Sequence, residues 1–404
     1  MMVPLSEIIS SLESGVSVNG DDRPSTGDQP GVLKVSSIAN GHFYPNENKA
    51  ILMSEVSRAT ASVRAGDLLV SRANTFDLVG SCCLVDKDYP HLFLPDKLWR
   101  VVVRDPGRDC VQWLNHVLNS PGVRQELKTR ATGTSGSMKN IPQWSFLAIR
   151  VHRPPYREQK ALAVLFSSWD RGIRQLADLI AAKIRFKQGL MQQVLTGKRL
   201  FNGYQDAWSS VRLRDVATEC DERNRGRLGV NNVMGVTKAE GIVPMRERTI
   251  GADIARYLVV KKNWFAYNPM RINIGSIARW QGERDILVSP DYVVFRCNEA
   301  NDHSPGVDPD FLDHLRRSGI WENFVTAAGN GSVRVRIYFG DLGLLKFKLP
   351  SMPEQQKIAT FLNAVDREID LLREQLEALK QQKKGLMQKL LTGEVRVMLP
   401  EEVA

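Results

Sequence analysis

Strings that would carry catalysis are few in this chain, and each is incomplete. Asn268-Pro269-Met270-Arg271 comes nearest to the Asn/Asp-Pro-Pro-aromatic string of adenine methyltransferases, but it lacks the second proline and the aromatic. Gly197-Lys198-Arg199 has neither the upstream glycine nor the following hydroxyl of a GxxxxGK[ST] phosphate loop. Pro290-Asp291 is followed by Glu299-Ala300-Asn301, without the lysine that a metal-dependent nuclease would want there. The six histidines show no ligand spacing such as HExxH. Cys82, Cys83, Cys110, Cys220 and Cys297 form an odd set with no CxxC, which speaks against a disulfide framework and a zinc ribbon. Reduced cytosol is the expected setting. An enzyme acting alone has the least support.

Two loops are better equipped for binding. Ala131-Thr-Gly-Thr-Ser-Gly-Ser-Met-Lys-Asn140 is a run of small hydroxyl residues ending in a base and an amide. Gly329-Asn-Gly-Ser-Val-Arg-Val-Arg336 is a second Gly/Ser loop with bases. Backbone N–H groups and hydroxyls of such a loop suit phosphate oxygens. Taken alone, the first loop reads more readily as a plain surface connection.

The elements that must position these loops are two long helices. From Glu354 to Gly393 the apolar residues Ile358, Leu362, Val365, Ile369, Leu372, Leu376, Leu379, Leu386 and Leu390 step alternately by four and three, with Lys383 the one polar seam position. A 3.5-residue period held over several heptads calls for a left-handed coiled coil. The pattern occurs again 196 positions upstream without a gap: Glu158-Gln159 aligns with Glu354-Gln355, Asp170-Arg171 with Asp366-Arg367, and Leu195-Thr-Gly197 with Leu391-Thr-Gly393. Its seam reads Leu162, Phe166, Trp169, Ile173, Leu176, Ile180, Lys183, Lys187, Leu190 and Val194. Prolines precede both copies, at Pro154-Pro155 and at Pro350 with Pro353, and a glycine suited to a left-handed cap follows each. The seam lysines near the helix C-termini suit the helix dipole and are expected to snorkel to water.

The helices alternate with two heads, one before each. In residues 1–152, Gly31–Ile38, Asp67–Ser71 and Leu98–Arg104 read as strands, and Val3–Leu12 as a short helix or strand. Cys110–Lys128 has helical spacing broken at Ser120-Pro121, where proline suits a new N-terminus. In residues 201–349, Tyr257–Val260, Arg271–Ile274 and Tyr292–Phe295 read as strands and Phe311–Ser318 as helix. The second head must join the end of one helix to the start of the other. Parallel helices would put those points roughly 60 Å apart, too far for a domain whose radius of gyration is about 15 Å. The expected fold is therefore α+β: two α/β domains, 1–152 and 201–349, separated by helices within 153–200 and 350–404 that form an antiparallel coiled coil, a pseudo-twofold dumbbell.

Composition agrees. The 404 residues, 43% hydrophobic and 25% charged, suit a folded multi-domain chain. No apolar run approaches a membrane span, and MMVPLSEIIS does not read as a secretory signal. The net charge of +10 permits nucleic-acid binding. Residues 153–200 hold 10 Lys and Arg against 3 Asp and Glu, so most of the excess lies in the segment that carries the first helix. Two readings stay open there: a basic face toward phosphate, or a helix that simply pairs with its more acidic copy.

Taken together, the chain resembles the specificity subunit of type I restriction-modification enzymes. The resemblance rests on the two helix copies, on Pro350-Ser-Met-Pro-Glu-Gln-Gln-Lys-Ile-Ala359, on Gly66-Asp-Leu-Leu-Val-Ser-Arg-Ala-Asn74, on Gly133–Ile141 and on Gly385–Gly393. The first copy departs from the pattern, reading Pro155-Tyr-Arg-Glu-Gln159 without the inner proline. The resemblance implies two target-recognition domains, each reading one half of a split double-stranded DNA site, and a coiled coil that sets the spacer. It implies two methyltransferase subunits as partners, supplying S-adenosylmethionine binding and base flipping. Restriction and translocase subunits would add ATP- and Mg2+-dependent work, with no cofactor or metal in this chain, no membrane, and a cytoplasmic location. Within the heads it points to Arg72, Asn74, Lys139 and Asn140, and to Arg271, Asn273, Arg334 and Arg336, since Arg pairs with guanine and Asn with adenine. The competing reading is a coiled-coil scaffold that binds no DNA.

Overall fold

In the computed structural model the sequence repeat returns as geometry. Helices Tyr156–Val194 and Met352–Leu390 are 39 residues each, and both their starts and their ends lie 196 positions apart. The missing inner proline of the first copy has no consequence: both helices open one residue before that position. Both are stopped by a glycine in the left-handed region, Gly197 at φ +73° and Gly393 at φ +79°, where a side chain would be strained. The structure describes residues 1–39, 41–133, 138–199, 203–204, 207–246, 249–301, 305–329 and 336–398.

The chain divides into two compact units, Met1–Ala177 with Glu374–Ala404, and Asp178–Arg373. In the first, an antiparallel sheet runs Cys82–Leu84, Leu68–Ser71, Leu98–Val103, Ile9–Ser14. A five-stranded mixed sheet runs Gly20–Asp21, Asn48–Ile51, Gly31–Leu33, Tyr89–Phe93, Ser62–Val63. The opening segment is both of the forms expected: strand Met2–Pro4, helical turn Leu5–Ile8, then strand. Helices Val111–Leu118 and Pro121–Arg130 break at Ser120-Pro121, with the proline in the first turn. Strand Gly31–Leu33 is shorter than expected, because Val35–Ser37 turns as 3-10 helix.

The second unit carries an antiparallel sheet in the order Ala217–Cys220, Val293–Cys297, Phe265–Tyr267, Ile277–Arg279, the pair Leu258–Val260 with Ile286–Val288, and the hairpin Met234–Thr237 with Gly241–Pro244. Helices Pro309–Leu315 and Gly319–Gly329 follow. Arg271–Ile274 is not a strand. Asn268 Oδ1 accepts from the Met270 N–H at 2.9 Å, and Gly275 at φ +93° closes a 3-10 turn over Ile272–Ile274. A turn begun at Asn-Pro outweighs the β-branched residues inside it.

Each head's core is completed by the start of one long helix and the end of the other. Leu162, Ala163 and Phe166 join Met387 and Leu391 in the first unit, while Leu190, Met191 and Val194 join Ile358, Ala359 and Leu362 in the second. Only antiparallel helices bring such ends together, so within each unit the pairing is antiparallel. Every expected apolar seam residue, from Leu162, Phe166, Trp169, Ile173, Leu176 and Ile180 to Ile358, Leu362, Val365, Ile369, Leu372, Leu376 and Leu379, is buried or half-buried. The seam lysines do not snorkel. Lys383 pairs with Asp170 at 2.5 Å, Lys187 with Asp366, and Lys183 with Glu368 at 2.7 Å. A carboxylate across the seam lies nearer than water.

The repeated Glu-Gln fixes each head to its helix. Gln159, fully buried, accepts from the Cys110 N–H at 2.8 Å and donates to the Pro154 carbonyl at 2.9 Å. Gln355, also fully buried, accepts from the Asp308 N–H at 2.8 Å and donates to the Pro350 carbonyl at 3.0 Å. In both units the amide caps the N-terminus of a head helix. Glu158 is held by Arg396, and Glu354 by the Trp208 indole at 3.0 Å. Each is thus held by a residue that follows the other helix's C-terminus.

Gln159→Leu strands a buried N–H and a buried carbonyl, and should cost about 2–5 kcal/mol. Urea unfolding of the full chain followed by tryptophan fluorescence measures this; a loss below about 0.5 kcal/mol would remove the socket's importance. A second outcome concerns His116, buried beside Phe166 with Nδ1 3.8 Å from Asp170. Burial lowers its pKa from 6.5 to about 4, against the pull of Asp170. The folded pKa lies below the unfolded one, so between those values the unfolded chain binds the extra proton. Stability should fall as pH drops through that window, by up to about 3 kcal/mol. His116→Asn should flatten that slope in urea titrations at several pH values.

Candidate nucleic-acid interface

The first head brings its four expected residues onto one ribbon. Strand Ala73–Asn74 pairs antiparallel with Lys139–Asn140, Ala73 opposite Asn140 and Asn74 opposite Lys139. The Ile141 N–H donates to the Arg72 carbonyl at 2.9 Å and holds the ribbon to the sheet. The side chains then diverge in role. Asn74 is 4% exposed; its amide donates to Ser71 Oγ at 3.2 Å, and its oxygen accepts from the Thr75 N–H at 2.8 Å. It is a turn-building residue and offers nothing outward, a correction to its expected role. Arg72 lies half-buried with its guanidinium 6.0 Å from the Trp99 ring centre. Lys139 Nζ donates to the Gly133 carbonyl at 2.6 Å, bracing the loop's own backbone. Asn140 is half-buried, and its Oδ1 finds no partner among the described residues.

What the ribbon does expose is apolar. Phe76 and Met138 stand in the open, and the Lys128 ammonium sits 5.5 Å from the Phe76 ring centre and 3.1 Å from Asp77. The available signal was a phenylalanine within the polar turn Asn74-Thr-Phe-Asp77.

The second head repeats one backbone bond of this construction, with other side chains around it. Arg336 and Ile337 stand 196 positions beyond Asn140 and Ile141. The Ile337 N–H donates to the Pro269 carbonyl at 3.1 Å, as Ile141 does to Arg72. This docks the Arg336 segment against the turn that holds Arg271 and Asn273, and all three side chains are exposed. Arg334 lies outside the described residues. Met270, Ile274 and Tyr338 are exposed beside them. A cleft of about 400 Å³ adjoins the turn, lined by Met270, Arg336, Tyr338, Arg223, Tyr292 and Glu219 among others. Burial, helped by Asp221, raises the Glu219 carboxyl above its usual range. Guanidinium and amide groups give donors for phosphate and base edges, tyrosines give stacking faces, and carboxylates accept from amino groups.

Among the described residues no cluster of three or more His, Cys, Asp or Glu is placed to hold a metal ion. No described helix is long and apolar enough to cross a membrane.

A family model for the type I restriction modification DNA specificity domain matches residues 321–381. Over 362 residues the chain is 41% identical to the putative type I restriction enzyme MjaX specificity subunit of Methanocaldococcus jannaschii, covering 82% of this chain and 79% of that one. It is 29% identical over 152 residues to the type I restriction enzyme EcoEI specificity subunit of Escherichia coli, across 37% of this chain and 25% of that relative's length. Its fold is similar to the crystal structure of the type I restriction-modification system S subunit from M. genitalium, with a TM-score of 0.58 at 14% identity, covering 97% and 96% of the two chains. By its similarity to the Methanocaldococcus subunit, and with two unlike heads on two copies of one helix, this chain belongs to the family of type I restriction enzyme specificity subunits.

Proposed function

We propose that this chain reads a split, asymmetric double-stranded DNA site, one half with each head, and docks two methyltransferase subunits that modify it. The observation that carries the reading is a shared frame with unshared contacts. The same backbone bond, Ile141 to Arg72 and Ile337 to Pro269, docks a segment bearing different side chains in each head. Exposed Arg271, Asn273 and Arg336 on one surface support DNA contact over a scaffold that binds none. The chain performs no chemistry itself. Its partners supply S-adenosylmethionine, and the restriction subunits supply ATP- and Mg2+-dependent translocation in the cytoplasm. Lysine and arginine contribute affinity through phosphates, and base-edge contacts contribute sequence.

Binding to duplex DNA should weaken steeply as salt rises, measured by fluorescence anisotropy with the assembled complex. Salt-independent binding, or none, would favour the scaffold. Arg271→Ala or Arg336→Ala should cost about 1–3 kcal/mol and relax one half-site if the residue reads a base, or lower the salt slope by about 1 if it holds a phosphate. The other half-site stays as it was. Inserting one heptad into both helices lengthens the pair by about 10 Å, near three base pairs at about 3.4 Å each. The methylated motif should then gain a spacer of that size with both halves intact; altered half-sites would refute the modular reading.

A further inference from the structure

We infer that two repeated ion pairs across the helix seam, Asp170 with Lys383 and Asp366 with Lys187, select the register of the helix pair and thereby the spacing between half-sites. The second clause rests on the DNA reading above; the first stands without it. Within the first unit Lys383 Nζ lies 2.5 Å from Asp170, and within the second Lys187 meets Asp366. The lysine side chains are only 17% and 12% exposed, so both pairs are largely withdrawn from water. Asp366 and Lys383 stand 196 positions beyond Asp170 and Lys187, so the two contacts are one contact made twice. The neighbouring pair Lys183–Glu368 is not repeated: the positions equivalent to its members are Leu379 and Gly172.

An apolar seam fixes register weakly, since shifting one helix by a heptad again sets apolar against apolar. The ion pairs remove that degeneracy. Moving the second helix by seven residues in either direction would face Asp170 with Leu376 or Leu390, and Asp366 with Ile180 or Val194. A half-buried carboxylate would then lose its partner to a hydrocarbon, and its lysine would lose it too. Parallel pairing fares worse, for it sets Asp170 beside Asp366 and Lys187 beside Lys383. One arrangement alone satisfies all four charges.

The same carboxylates also face the heads. Asp170 lies 3.8 Å from His116 Nδ1 on helix Val111–Leu118, with His42 and Arg174 nearby. Asp366 lies 3.5 Å from Arg317, close after helix Pro309–Leu315, whose His314 Nε2 donates to Asn363 Oδ1 at 2.8 Å. Register and head placement therefore meet at one residue in each unit. These are positioning residues, which touch no base.

The test uses the full chain with Cys220 and Cys297 replaced by alanine, and cysteine pairs set across the helices either in register or one heptad off. Wild-type pairing should cross-link only in register. Asp170→Lys with Asp366→Lys faces like charges at both nodes, and should reduce the in-register cross-link roughly tenfold. It should also scatter or abolish the methylated spacer in the assembled complex. Adding Lys383→Asp and Lys187→Asp restores opposite charges, and should restore both readouts. Retained in-register cross-linking in the reversed variant overturns the inference, as does failure of the fourfold swap to rescue it. A shifted register with an unchanged spacer overturns the link to DNA. If the unmodified complex methylates no split site while the cross-links behave as stated, the DNA reading falls and the register inference stands.

Discussion

A charged side chain in a helix seam must find its opposite, and two copies of this helix satisfy that demand in one way. Asp170, Lys187, Asp366 and Lys383 are all partnered when the helices run antiparallel with the observed offset. The apolar seam supplies most of the attraction, because every methyl withdrawn from water contributes without regard to its neighbour. Charge supplies the choice among arrangements of similar apolar area. The rest of each unit is built upon that choice. Antiparallel pairing brings the start of one helix beside the end of the other, and the head core forms across both.

The attachment of the heads follows the same economy. A buried glutamine in each helix caps a head helix and holds the proline that precedes it, so the entry of the chain and the seat of the head are fixed together. Around these sockets the heads differ freely. The first has Trp99 under Arg72 and an exposed Phe76; the second has an exposed turn with Arg271 and Asn273 beside Arg336. A frame shared by the two units, with divergent exposed side chains, suits the proposed reading of unlike half-sites. Backbone bonds hold the frame and leave side chains at the surface free to vary.

The helices were legible because a 3.5-residue period and a 196-residue repeat are properties of the string itself, and both boundaries came out equivalent in the two copies. The break at Ser120-Pro121 was legible for a local reason, since proline acts on its own turn. The seam lysines were misread because a polar seam position shows nothing of its partner. Asp170 and Asp366 marked the repeat without revealing that they face Lys383 and Lys187. Asn74 looked like a base reader from its type, yet its amide is consumed by Ser71 and Thr75, a fact only packing discloses. The strand read over Arg271–Ile274 is in fact a turn, and Arg271 stands exposed on it. Exposed Phe76 escaped notice because an apolar residue in sequence suggests a core.

The antiparallel pairing itself is open to a direct distance measurement. Lys160 near the start of the first helix and Lys389 near the end of the second are both exposed and lie in the same unit. Spin labels at these positions, read by pulsed electron resonance in the full chain, should lie within about 20 Å of each other. Parallel helices would separate them by roughly 50 Å at about 1.5 Å per residue, and a distance distribution centred there would contradict the account.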